Sequence, residues 1–156
     1  MIRNARQADT SKIYNILKKI TAFTGEEVDV AMELVNIATS NYNQTDYYLF
    51  VYEDNDKVWG YYCIGRRPLT DAVYDLYWIV ADPDSDKKGI GKILLEHAEQ
   101  FVQEHNGRWL IVETSSKESY SKARNFYMRN NYSIIAEIND FYRVGDNLVV
   151  FGKYFK

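Results

Sequence analysis

Apolar positions along this chain recur with two periods, and the switches between them outline its elements. Residues 2–5 are apolar enough for a short first strand. Asp9, Thr10 or Ser11 then caps a helix that places Ile13, Ile16, Leu17 and Ile20 on one face. That stripe ends before Gly25. A second helix, from about Glu26, carries Val30, Ala31, Leu34 and Ile37 at helical spacing and closes at the polar run 40–45. Alternation takes over in residues 47–53 and 58–66, and Asp54-Asn55-Asp56-Lys57 between them is a polar turn in hairpin position.

After a break at 68–71, residues 73–81 are apolar on both faces, the pattern of a central strand, with Asp75 as its one charged member. The helix over 89–105 has Ile90, Ile93, Leu94, Ala98, Phe101 and Val102 on one side and Asn106-Gly107 as a stop. A strand at 109–114 follows, then a helix at 119–130 with Ala123, Phe126 and Tyr127 inward, then strands at 132–138 and 148–154. The order β-α-α-β-β-β-α-β-α-β-β predicts a mixed α/β fold, and with no repeat or linker, residues 1–156 read as a single domain.

Composition narrows the chemistry. With 46% hydrophobic residues the chain can bury a sizeable core, and a net charge of −3 without a basic run argues against nucleic acid as a partner. One cysteine, Cys63, excludes an intramolecular disulfide, and the two histidines, His97 and His105, do not form metal-ligand spacing. No metal is expected. Both histidines read as surface or packing residues and Cys63 as a small apolar strand residue. The first residues lack a signal peptide's apolar core and no run is long enough to span a membrane, so a cytoplasmic protein is expected, with a homodimer allowed.

The segment Asp86-Lys87-Lys88-Gly89-Ile90-Gly91 joins the central strand to the most periodic helix. Amides at a helix N-terminus point outward and favour an anion. Gly89 and Gly91 remove side-chain bulk, while Lys87, Lys88 and Lys92 add positive charge. A pyrophosphate suits such a turn.

With that order and that turn, the chain resembles the GNAT superfamily of acetyl-coenzyme-A-dependent N-acetyltransferases. The family's Gln/Arg-x-x-Gly-x-Gly/Ala is matched by Asp86 to Gly91 in every position but the first, where Asp86 places an acid near a polyanion. Trp78-Ile79-Val80-Ala81-Asp82-Pro83 resembles the family's strand end and its approach to the turn. Ala123-Arg124-Asn125-Phe126-Tyr127-Met128-Arg129-Asn130-Asn131-Tyr132 resembles Ala-x-x-Phe-Tyr-x-x-x-Gly-Phe, with Asn131 in place of a glycine because Asn accepts left-handed dihedrals.

The resemblance implies a twisted mixed sheet of seven strands flanked by four helices, with acetyl-CoA and an amine bound together and the amine attacking the thioester directly. It implies that the backbone of Ile79, Val80 and Ala81 pairs with the pantetheine arm, and that an amide there polarises the thioester carbonyl. The pyrophosphate would take the amides of Lys87, Lys88, Gly89, Ile90, Gly91 and Lys92. Tyr127 matches the tyrosine that protonates the departing thiolate: a phenol, at about 10, holds its proton when a thiol, at about 8.5, begins to lose one. Tyr120 stands where many relatives carry an Asn that bonds the pantetheine arm, and Arg124 is a further candidate phosphate contact.

Two carboxylates qualify as the base that deprotonates the amine, Asp75 on the central strand and Glu113 at the end of the next. Either could instead be structural, and both stay open. The acceptor would meet Phe23, Glu26 and Glu27 before the second helix, and a loop at Asp140-Phe141-Tyr142 and Gly145-Asp146, where acid plus aromatic character suits an ammonium. Two other readings compete: a domain that holds an acyl-CoA with little catalysis, consistent with Asp86 and Tyr120, and a dinucleotide binder, disfavoured because the turn lacks a third glycine.

Overall fold

The elements follow the predicted order in the computed structural model, which describes residues 1–156. They are β1 (Ile2–Asn4), α1 (Thr10–Lys19), α2 (Gly25–Ser40), β2 (Tyr48–Asp54), β3 (Lys57–Arg66), β4 (Val73–Ala81), α3 (Ile90–Glu104), β5 (Trp109–Ser115), α4 (Ser121–Arg129), β6 (Ser133–Arg143) and β7 (Asp146–Tyr154). Single 3-10 turns at Gln7–Asp9 and Glu118–Tyr120 lead into α1 and α4. All seven strands join one sheet in the order β1-β2-β3-β4-β5-β7-β6. It is antiparallel except between β4 and β5.

The apolar residues of β3 and β4 are buried on both faces, as expected for central strands. One face packs Val51, Tyr61, Cys63 and Val80 against Ile13, Leu17, Ala31 and Val35 of α1 and α2. The other packs Tyr62, Leu76, Leu110 and Phe151 against Leu94, Ala98 and Val102 of α3 and Tyr127 of α4. The β2–β3 turn has Asn55 and Asp56 at positive φ, and α3 stops at Asn106 with φ 55°, both as the polar turn residues predicted.

The parallel pair sets up the site. β4 and β5 pair only over Val73–Asp75 and Trp109–Ile111, after which they diverge. A bulge at Tyr77 on β4, opposite the Cys63–Ile64 step of β3, leaves Tyr77 without a register partner, and bulges add local twist. A notch therefore opens beside the second half of β4. Gly65, next to the bulge, is required by a close approach, because a Cβ there would lie 2.1 Å from the Asp46 carbonyl oxygen.

Three expectations are corrected. Asp9 does not cap α1 with its side chain; its carboxylate accepts from Arg3 at 2.8 and 3.0 Å and from the Arg6 amide at 2.7 Å. The inward face of α2 is Val28, Ala31, Val35 and Thr39, whereas Val30 is 50% exposed and Ile37 39%. A helix apolar on nearly all sides gives the periodicity no single answer. The segment around Asp140–Tyr142 is strand rather than loop: β6 and β7 form a long hairpin, with Asp140 and Gly145 at positive φ.

His97 is a packing residue, with its Nδ1 2.7 Å from the buried Tyr62 hydroxyl. Burial raises the Tyr62 phenol, so it stays protonated in this hydrogen bond. Burial also lowers His97 below its ordinary value. The unfolded chain therefore takes up a proton near pH 6.5 that the folded chain resists, and the stability is full above that pH and falls below it. The loss is a fraction of the ~1.4 kcal/mol per pH unit of one full proton linkage, since the ring is only partly buried. Urea midpoints at pH 7.5 and 5.5 should differ less in His97→Gln than in the parent protein, and an equal difference in both would contradict this role.

Candidate active site

A cleft of about 690 Å³ occupies the notch between β4 and β5. Its floor includes Leu76 to Ile79 of β4 and Ile111 to Ser115 of β5. Phe23 and the α2 residues Glu26, Glu27, Val30 and Leu34 form one wall, with Tyr120 and Tyr127 opposite. Tyr142, Arg143 and Asp146 of the β6–β7 hairpin close the end. Val30 and Leu34 are apolar yet half-open because they face this space.

At the other end of β4 stands the predicted anion turn, held in shape before any ligand arrives. Lys19 Nζ of α1 bonds both oxygens of the buried Asp82 at 3.0 and 3.1 Å and also reaches Asp84 at 3.0 Å. Asp82 in turn accepts from the Asp84 amide at 2.9 Å, and Ser85 Oγ accepts from the Lys87 amide at 3.1 Å. Gly89 has φ 83°, a conformation that favours glycine, and a Cβ added there would meet nothing within 4 Å. The first rung of α3 is the Ile93 amide to the Gly89 carbonyl at 3.0 Å, so the preceding amides are the ones a helix leaves for an outside acceptor. Free amides and open space at a glycine fit a pyrophosphate.

The charges of the turn are arranged less simply than its sequence suggests. Lys87 is in contact with Asp54 of the β2–β3 hairpin, and Lys92 lies 3.9 Å from Glu96 one turn along. Lys88 and Asp86 are exposed. Arg124 turns away from solvent and donates to the carbonyls of Ser115 and Lys117 at 2.8 and 2.6 Å, bracing the link between β5 and α4.

Tyr127 lies at the inner wall, only 6% exposed, against Phe151 and Tyr132 with ring centroids 5.5 and 6.0 Å away. Its hydroxyl takes no part in the protein's hydrogen bonds, and burial alone pushes the phenol well above its ordinary value. It holds a proton across the physiological range. Asp75 and Glu113 lie together, joined by Arg67, a residue the sequence reading did not single out. Its Nε and Nη2 bond Asp75 at 2.9 to 3.1 Å, and Nη2 also reaches Glu113 at 3.1 Å. Asp75 is 7% exposed, and burial raises its pKa against the opposing pull of Arg67. Glu113 is exposed in the cleft. Tyr120 does not stand alone: its hydroxyl contacts Glu27 of α2, and burial followed by that bond raises its pKa.

A seven-stranded sheet parted at its parallel pair, with a helix N-terminus at one end of the gap and a buried tyrosine beside it, defines an acyltransferase. The chain belongs to the GNAT acetyltransferase family: residues 45–134 match the model of the acetyltransferase (GNAT) domain. A GNAT-family protein from Desulfovibrio desulfuricans is 32% identical over 99% of this chain and 98% of its own, with a TM-score of 0.93. An aminoglycoside 6'-N-acetyltransferase complexed with coenzyme A shares the fold at 13% identity and a TM-score of 0.76, over 99% of this chain and 96% of that one. The ribosomal-protein-S18-alanine N-acetyltransferase of Escherichia coli does so at 18% and 0.76, over 99% and 92%. No curated protein matches the chain significantly in sequence. No helix is long and apolar enough to cross a membrane.

Proposed function

We propose that this protein transfers the acetyl group of acetyl-CoA to a primary amine, by direct attack while both substrates are bound. The observation that carries this reading is the gap beside Leu76 to Ala81. Strand β4 is paired with β3 on one edge and, beyond Asp75, lacks register partners on the edge facing β5. Unpaired backbone groups at Ile79, Val80 and Ala81 can take an extended ligand as an added strand, and one amide can stabilise charge that develops on the thioester oxygen. The amides of Lys88, Gly89, Ile90, Gly91 and Lys92 then hold the pyrophosphate, the Lys87 amide being committed to Ser85 Oγ, with Asp86 an unfavourable neighbour. Tyr120 and Arg124 act around the arm indirectly, one tied to Glu27 and the other bracing the β5–α4 link.

Tyr127 supplies a proton to the leaving sulfur. Between the two carboxylates, Glu113 is the better acceptor of the amine's proton, directly or through water, because Asp75 is closed in by a two-pronged contact with Arg67. Cys63 cannot carry the acetyl group, since it is fully buried and burial pushes its thiol up to about 12. Initial velocities with both substrates varied should therefore give intersecting lines. Parallel lines, with retained activity in Cys63→Ala, would contradict direct attack.

A further inference from the structure

Resting on that acetyltransferase reading, we infer that the acceptor is a slender aliphatic diamine. Its reacting amine lies toward Glu113, and its second ammonium is held by Glu27 beside Tyr120 and Tyr142. The cleft is lined by five carboxylates against three cationic side chains. Two of those cations are already committed, Arg67 to Asp75 and Glu113, and Lys117 to Asp146 at 3.5 Å. Glu26 and Glu27 have no basic side chain within ion-pair distance. Acids in a helix's first turn are common because the dipole favours them there. Glu27 Oε1 accepts from the capping Thr24 hydroxyl at 3.3 Å, but its Oε2 is turned to a phenol 93 residues away, across the cleft.

The rest of the cleft matches a diamine in shape. Phe23 meets Trp78 edge-on at 5.3 Å and Tyr120 at 6.3 Å, a file of rings along one side. Rings of this kind receive both methylenes and ammonium groups. Val30, Leu34 and Ile111 add aliphatic lining between the two acidic ends. Tyr142, Arg143 and Asp146 of the β6–β7 hairpin line the same cleft as Glu26 and Glu27 of α2. That end suits a thin chain entering end-on rather than a polypeptide running through. Tyr127, 6% exposed and with no hydrogen-bond partner for its hydroxyl, lines the same cleft, so the acid and the acceptor end share one space.

The test compares cadaverine with pentylamine as acceptors for the full chain at fixed acetyl-CoA, following released thiol, with a lysine-rich peptide as a third acceptor. Cadaverine should exceed pentylamine in kcat/KM by at least about tenfold, the scale of one hydrogen bond to a charged group. In Glu27→Gln that ratio should shrink to about twofold, the residue of nonspecific attraction to the cleft. Equal use of both amines, or a clear preference for the peptide, overturns the diamine inference and leaves the acetyltransferase reading standing. If no amine is acetylated, calorimetry decides between the two claims. Cadaverine binding that Glu27→Gln weakens keeps the dication site without the transferase reading, and absence of binding removes both.

Discussion

Tyr127→Phe lowers kcat by about 10²-fold at saturating acetyl-CoA and amine, and changes either KM by no more than about twofold. The size follows from what the hydroxyl does. A thiolate leaving from a tetrahedral centre beside the buried Tyr127 ring meets a phenol before bulk water, and a positioned acid commonly contributes two to four orders of magnitude. Burial raises the Tyr127 phenol well above its ordinary value, so the proton is present wherever the enzyme works. The substitution is also structurally clean. The hydroxyl has no hydrogen-bond partner in the protein, so removing it orphans no other group, and the ring keeps its contacts with Phe151 and Tyr132. Melting temperature should change little. Unchanged kcat, with chemistry shown to limit turnover, would remove Tyr127 as the acid.

Glu113→Gln should lower kcat/KM by about 10²-fold and displace the rising limb of its pH profile, because the amine must lose a proton before it attacks. Asp75→Asn gives the contrast. Asp75 is buried and takes three of the four hydrogen bonds that the Arg67 guanidinium makes to the two carboxylates. Its loss should loosen Arg67 and with it the placement of Glu113, for a decrease of about tenfold that leaves the limb in place. The raised pKa of Asp75 would by itself make it the stronger base, and what disfavours it is the contact with Arg67. A group held in a dry contact with a guanidinium is poorly placed to exchange protons with substrate. If the limb disappears in Asp75→Asn and survives in Glu113→Gln, the roles are reversed.

The parts of this site that follow local rules were legible in the sequence. The Gly89 turn, the strand ahead of it and the helix after it depend on residues within a few positions of one another, and positive φ at Asn106 and Asn131 lies where a helix stop and a tolerated left-handed residue were expected. The acceptor end depended on distant contacts and was not legible. No spacing rule connects Tyr120 to Glu27, or Lys87 to Asp54. Arg67 lies between the strand at 58–66 and the break at 68–71, where no motif marks it; only the fold brings it to Asp75 and Glu113.

The hairpin was misjudged for a physical reason. Asp140 and Gly145 are turn-formers, and their positive φ values interrupt a ladder that otherwise runs from Ser133 to Tyr154. β6 is also exposed along its whole length, so burial imposes no alternation on its sequence. The same feature carries Tyr142 over the cleft. Residues 23–34 were similarly ambiguous, since one side of α2 serves the core and another serves the substrate.

Amine-dependent release of free thiol from acetyl-CoA, with the acetylated amine identified by mass spectrometry and hydrolysis measured separately, tests the central claim most directly. The account predicts one acetylated amine for each thiol released, at a rate that rises with amine concentration to saturation. Tight binding of acetyl-CoA, with thiol release no faster in the presence of primary amines than in their absence, would contradict it and leave a domain that holds the thioester without using it.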